Sequence, residues 1–146
     1  MRALVALGSN LGDRRANLEA GLRLLAELGA VTPSPLWTET PDEAGQGPDY
    51  LNTVAFLDTP LDPRALLEAL LRAELRQGRD RTQGRNAPRT LDLDLISADA
   101  EGRWSWPAPA DLAWLGGELV LQLPHPRART RPFVVEPARA LGIELQ

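Results

Sequence analysis

The octapeptide Arg89-Thr90-Leu91-Asp92-Leu93-Asp94-Leu95-Ile96 alternates apolar and acidic residues, the pattern of a β-strand with one buried and one polar face. Leu91, Leu93 and Leu95 belong to the core face. Asp92 and Asp94 share the other, about 7 Å apart. Carboxylates that close repel unless a cation joins them. Hard oxygen ligands at this spacing suit one or two Mg²⁺ ions, which keep several waters and complete their shells from substrate phosphates. A bare Asp-X-Asp is equally the solvated face of an ordinary sheet, so its neighbours have to decide between the two.

Upstream of the strand, residues 72–89 hold six arginines against two acids, a local charge of +4 in a chain whose net charge is −4. Arg79, Arg81, Arg85 and Arg89 lead directly into the acidic strand, and their planar guanidinium forks match phosphate geometry. Arg127, Arg129 and Arg131 form a second basic cluster. Local basic segments in an acidic protein suit a small polyanion and make a poor general nucleic-acid binder. All sixteen basic residues are arginine, cysteine is absent and His125 is the one histidine. Those absences exclude the phosphate loop with its lysine, Schiff-base chemistry, cysteine nucleophiles, disulfides and multi-histidine metal sites.

The rest of the 146 residues supplies elements on both sides of this strand. Residues 2–7 form a short apolar run, read as a buried strand that ends at Gly8 and the Gly-Ser-Asn-Leu-Gly-Asp turn. Leu18, Leu22, Leu25 and Leu28 then fall on one helical stripe, with Asp13 as N-cap and Gly29 past the end. Residues 30–40 carry Pro33 and Pro35 and read as an edge strand or irregular extended segment, followed by a loop over 41–49. Residues 50–58 read as a strand with Tyr50 and Asn52 on one face and Leu51, Thr53, Ala55 and Leu57 on the other. Asp62-Pro63 opens a second helix carrying Leu66, Leu67, Leu70, Leu71 and Leu75. The polar loop 78–88 is expected to be mobile when empty. Residues 90–96 form the acidic strand, 118–123 a further strand, and the tail from Pro132 a short helix; 97–117 resists assignment.

Strand, helix, strand, strand, helix, strand is the order of a split βαβ, an α+β antiparallel sheet with two helices on one face. With 43% hydrophobic and 25% charged residues, the chain is expected to form one domain over 1–146. No apolar run is long enough to span a bilayer and the N-terminal run is too short for a signal peptide, so a cytosolic location is expected.

Three further groups could serve a ligand. Tyr50 beside Asn52, just after the loop that carries Thr40, makes a platform for a flat polar heterocycle, one residue stacking and the other reading the edge. The same pair also reads as a partly buried tyrosine with a structural asparagine. His125 sits between Pro124 and Pro126, where its ring could donate to a phosphate oxygen or simply be structural. No serine lies in a Gly-X-Ser-X-Gly elbow, which disfavours a Ser-His-Asp hydrolase. Gly8-Ser9-Asn10 suits a tight turn before a helix.

Together, segments 6–13, Thr40-Pro41, 48–52, Glu74 with Gly78-Arg79, 88–96, and 123–127 with Arg131 and Phe133 resemble the 6-hydroxymethyl-7,8-dihydropterin pyrophosphokinases of folate biosynthesis. Their order and spacing cover nearly the whole chain. The resemblance implies a ferredoxin-like sandwich and transfer of the terminal two phosphates of ATP, as one unit, to the hydroxymethyl oxygen of the pterin, leaving AMP. Asp92 and Asp94 match the family's pair for two Mg²⁺ ions. Tyr50 and Phe133 match the walls that sandwich the pterin, and Asn52 and Thr40, followed by Pro41, match positions along its edge. Arg79 and Arg89 match phosphate-contacting arginines; Arg81 and Arg85 of the same loop are expected, on charge and position, to close over the triphosphate. His125 and Arg131 match positions near the triphosphate and ribose, and Glu74 an acid near the nucleotide. The implied partners are these two small molecules; no nucleic acid or membrane partner is expected, and the chain is expected to be a monomer. Residues 98–122, with Trp104, Trp106 and Trp114, are longer than the family pattern; they read as an enlarged hairpin over the site, an oligomer contact or a tolerated insertion. An RNA-binding sheet, a metal-dependent nucleotidyl transferase and a regulatory small-molecule binder are the rival readings of the same residues.

Overall fold

The structure is a computed structural model and describes residues 1–42, 45, 47–78 and 89–145. The strands are β1 (Arg2–Ser9), β2 (Ala30–Pro33), β3 (Thr38–Thr40), β4 (Tyr50–Asp58), β5 (Asp92–Ala98), β6 (Gly102–Pro107) and β7 (Glu118–Leu123). The α-helices are α1 (Arg14–Ala26), α2 (Pro63–Arg76) and α3 (Pro132–Ala140), with 3₁₀ turns at Ala110–Leu115 and Ala128–Thr130.

β1 is central because it is apolar on both faces. It pairs antiparallel with β4 on one side and β5 on the other, giving the order β2-β4-β1-β5, and β3 also pairs with β4. Ala3, Val5 and Leu7 of β1 join Leu57 of β4 and Leu93 and Leu95 of β5 in a core covered by α1 and α2. Each fully buried leucine there contributes roughly 1.5–3 kcal/mol. Gly21 lets α1 lie flat on the sheet, since a Cβ would stand 2.9 Å from Leu7 Cδ2. Both predicted N-caps form: Asp13 accepts from the amide of Ala16 at 3.0 Å and Asp62 from that of Ala65 at 2.9 Å, each contributing about 1 kcal/mol.

The expectation of two helices on one face holds for α1 and α2, whereas α3 covers the other. Leu4, Val54 and Ile96 leave an apolar patch there, and Val134 and Ala138 of α3 bury it. β5 begins two residues later than its sequence pattern, because residues 89–90 spend their polar groups elsewhere. The Thr90 hydroxyl donates to the Gln77 carbonyl at 2.7 Å and the Arg89 backbone pairs with Asn10. The unassigned stretch 97–117 is an enlarged hairpin: β6 and β7 form their own two-stranded sheet, with the Ala110–Leu115 turn at its tip. Leu112, Leu119, Leu121 and Leu123 fasten it to the α1/α2 side of the core.

Candidate active site

Strand alternation delivers the acidic pair as the sequence implies. In β5, Leu93 and Leu95 are buried while Asp92 and Asp94 point to the α3 face, opposite Gly8 and Ala6 of β1. There they line a cavity of about 350 Å³. Tyr50 and Asn52 enter it from β4, Thr40 from the end of β3, Pro41 and Asp42 from the following loop, and Phe133 from the first turn of α3. Arg89, His125, Arg127 and Arg131 complete the end nearest the carboxylates. The cavity thus brings aromatic rings and an amide together with two aspartates and three arginines.

The Asn52 amide donates to the Thr40 hydroxyl at 2.9 Å, which fixes its orientation. Gly8 is what leaves room there: a Cβ on it would stand 3.2 Å from both Asn52 Oδ1 and Tyr50 Cδ1. Burial, then the negative charge of Asp92, pushes the Tyr50 phenol up to about 12, so it stays neutral. Arg131 lies 5.6 Å over the Phe133 ring, so the cavity's cations and aromatic rings are in direct contact.

Arg89 Nη1 donates to Asp92 Oδ1 at 3.0 Å. Burial works against the Arg89 charge, yet Asp92 and Glu74 outweigh it and hold the guanidinium more basic than usual. The charge of Asp92, then burial, pushes Asp94 up to about 7, against the counter-pull of Arg131, Arg89 and Arg127. His125 is held below the usual imidazole value by burial and by Arg131 and Arg127, so it is neutral at pH 7. The Arg127 amide donates to its Nδ1 at 3.2 Å, which leaves the ring proton on Nε2 as a donor. The His125 amide bonds the Ile96 carbonyl at 2.7 Å, tying this loop to β5.

A second cavity of about 330 Å³ opens beyond the carboxylates. It shares Arg89, Asp92, Asp94 and His125 with the first, and Leu67, Leu71 and Glu74 of α2 and Val120, Leu121 and Gln122 of β7 also line it. Glu74 is 2% exposed, and its Oε2 accepts the Leu93 amide at 2.7 Å, between the two aspartates in sequence. Among the described residues no three His, Cys, Asp or Glu side chains converge as a complete metal cage. Two crowded carboxylates, one of them made reluctant to ionise by the other, nevertheless fit a divalent cation that draws the rest of its shell from water and phosphate.

Nearly all the site residues anticipated from sequence therefore meet in these two cavities, while Arg79, Arg81, Arg85 and the loop 79–88 lie outside the described residues. Asn10 was legible only as a turn residue. Its Oδ1 accepts the Arg89 amide at 2.8 Å, its own amide bonds the Arg89 carbonyl at 3.1 Å, and its Nδ2 donates to the Pro48 carbonyl at 3.3 Å. It pins Arg89 beside Asp92 and holds the end of the 41–49 loop. Asp42 and Arg127 are further lining residues.

Paired carboxylates, convergent arginines and an aromatic–amide wall around one cavity are the equipment of a phosphate-transferring enzyme. Residues 4–142 match the model of the 7,8-dihydro-6-hydroxymethylpterin-pyrophosphokinase family, and the chain belongs to that family. It is 38% identical to the 2-amino-4-hydroxy-6-hydroxymethyldihydropteridine pyrophosphokinase of Pseudomonas aeruginosa, over 99% of this chain and 83% of that one. The protein of the same description in Haemophilus influenzae is 33% identical over 98% and 82%. A mitochondrial folate synthesis bifunctional protein of Pisum sativum is 35% identical over 92% of this chain and 24% of its own length. No helix among the described residues is long and apolar enough to cross a membrane.

Proposed function

We propose that this chain transfers the terminal diphosphate of ATP to the hydroxymethyl oxygen of 6-hydroxymethyl-7,8-dihydropterin and releases AMP. The observation that carries this reading is the layout of the two cavities around one pair of carboxylates. The first offers Tyr50, Asn52, Thr40 and Phe133 to a flat heterocycle, the second offers Leu67, Leu71 and Val120 to a nucleoside, and Asp92 and Asp94 stand between them.

Tyr50 and Phe133 stack the pterin while the oriented Asn52 amide reads its edge. The hydroxymethyl group then reaches the carboxylate end, where Asp92 accepts its hydrogen bond and aims its oxygen at the β-phosphorus. A new oxygen–phosphorus bond forms there as the hydroxyl proton passes to solvent by way of Asp92 and the bond from the β-phosphorus to the α,β-bridging oxygen breaks, and AMP leaves with that oxygen. Arg89, Arg127, Arg131 and the Nε2–H of His125 hold the phosphate oxygens, and we assign Arg79, Arg81 and Arg85 to the same charge. Mg²⁺ at Asp92 and Asp94, two ions in the full complex, would supply neutralisation of the triphosphate. Positioning and charge are what this reaction asks of a protein, so a chain without lysine or cysteine is equipped for it.

The sheet order β2-β4-β1-β5 with α1 and α2 on one face supports a ferredoxin-like sandwich, built as one domain over 1–146 because both core clusters share that sheet. Among the described residues the large exposed hydrophobics are Leu11, Leu36 and Val120, too little apolar surface for an obligate dimer, and we read the chain as a monomer. Its place is the cytosol, its ligands are small molecules, and acids on the sheet face that carries Asp92 and Asp94 argue against RNA. Incubation with ATP, Mg²⁺ and the pterin alcohol, with nucleotides resolved by chromatography, is expected to give pterin-dependent AMP. ADP, or AMP retained on the acceptor, would refute the reaction.

A further inference from the structure

The second cavity has one wall from α2 and one from β7, and β7 is not part of the main sheet. The enlarged hairpin is bound to α2 by side chains next to those that line the cavity. Trp106 Nε1 of β6 donates to Glu68 Oε2 at 2.8 Å, and the Arg64 guanidinium lies 5.6 Å over the same ring. At the hairpin tip, Arg72 Nε and Nη2 donate to the two carboxylate oxygens of Asp111 at 2.8 and 3.2 Å. Leu112 beside Asp111 is wholly buried, so the tip is anchored. Glu68 and Arg72 immediately follow Leu67 and Leu71, which line the cavity together with Val120, Leu121 and Gln122 of β7, so whatever moves the fastening also moves the wall.

We propose that Trp106 and Asp111 are positioning residues for the nucleoside end of ATP: by clamping the hairpin to α2 they set the separation of the two walls. This rests on the reading that the nucleotide occupies the second cavity. The phosphates are assigned to Arg89, His125 and Arg131, which lie outside α2 and the β6–β7 hairpin, so the clamp is expected to act on the nucleoside. An exposed ion pair by itself contributes little. The clamp acts through bidentate geometry and through the indole N–H, a hydrogen bond whose loss corresponds to about a fivefold change in an equilibrium constant.

The test uses the full chain with Trp106→Phe, which keeps the packing, and Asp111→Asn, which is exposed and leaves the core intact. Calorimetry measures Mg²⁺-loaded ATP and Mg²⁺-loaded tripolyphosphate, which has the phosphates without the nucleoside. The expected result is an ATP Kd raised about fivefold in each variant, an unchanged tripolyphosphate Kd and an unchanged kcat at saturating ATP. Asp111→Glu, which keeps a carboxylate for Arg72, is expected to retain more of the ATP binding than Asp111→Asn does. Equal weakening of both ligands, or undiminished ATP binding, would overturn the proposal. If the unaltered protein binds ATP no more tightly than tripolyphosphate, the reading of the second cavity fails first and takes this inference with it.

Discussion

Acidification is expected to weaken divalent-cation binding at the aspartate pair, by an amount that follows from the position of Asp94. The charge of Asp92 and burial hold that carboxyl at about 7, above its ordinary 3.8. Above pH 7 it is ionised and ready to ligate; below, a cation has to displace one proton, and affinity falls tenfold for each further pH unit. Between pH 8 and pH 6 the apparent association constant should drop about tenfold. The linkage has the opposite sign for the cation-free protein. Its folded state binds this proton more tightly than the unfolded chain does, so Asp94 lowers stability as pH rises from about 4 through 7. The assay is electron paramagnetic resonance of free Mn²⁺ titrated with protein at pH 6, 7 and 8, without nucleotide so that no phosphate titrates. In Asp92→Asn, which removes the largest cause, the affinity is lower overall and the transition moves to lower pH. Equal Mn²⁺ affinity at pH 6 and 8, or stronger binding at pH 6, would refute the reasoning.

Other perturbations separate the parts of the site. Asn10→Ala removes the acceptor of the Arg89 amide and the donor to Pro48; turnover is expected to fall on the order of tenfold in steady-state assays, with secondary structure unchanged by circular dichroism. Gly8→Val places branched carbons where a Cβ already stands 3.2 Å from Asn52 and Tyr50, so KM for the pterin should rise while ATP affinity holds. Glu74→Ala leaves the Leu93 amide without its acceptor, a loss of about 1–3 kcal/mol that should appear as a Tm lowered by roughly 3–10 °C. Glu74→Gln retains an acceptor oxygen and is expected to lose less.

What the sequence disclosed was whatever is written in short-range pattern. Period two placed Asp92 with Asp94 and Tyr50 with Asn52 on the face that lines the cavity, and Asp13 and Asp62 marked both helix starts. Contacts across the chain left no such trace. Asn10 meets Arg89 after 79 positions and Pro48 after 38, and from sequence alone it is a turn residue like many others. Trp106 finds Glu68 38 positions away, a contact that no local pattern in the Trp-rich segment announces. The strand start at Asp92 was hidden for the same reason, since the Arg89 backbone bonds to Asn10 in place of the ladder and the Thr90 hydroxyl holds the chain to the end of α2. The cover that α3 gives to the second face follows from Leu4, Val54 and Ile96, whose shared patch exists only once β1, β4 and β5 are aligned.

The central claim is that two phosphates move together to the pterin. ATP labelled with ³²P at the β position, incubated with the protein, Mg²⁺ and 6-hydroxymethyl-7,8-dihydropterin, should place the label in the pterin product, with unlabelled AMP in equal amount. Label that remains in a nucleoside diphosphate, with an unlabelled pterin, would show single phosphoryl transfer and contradict the account.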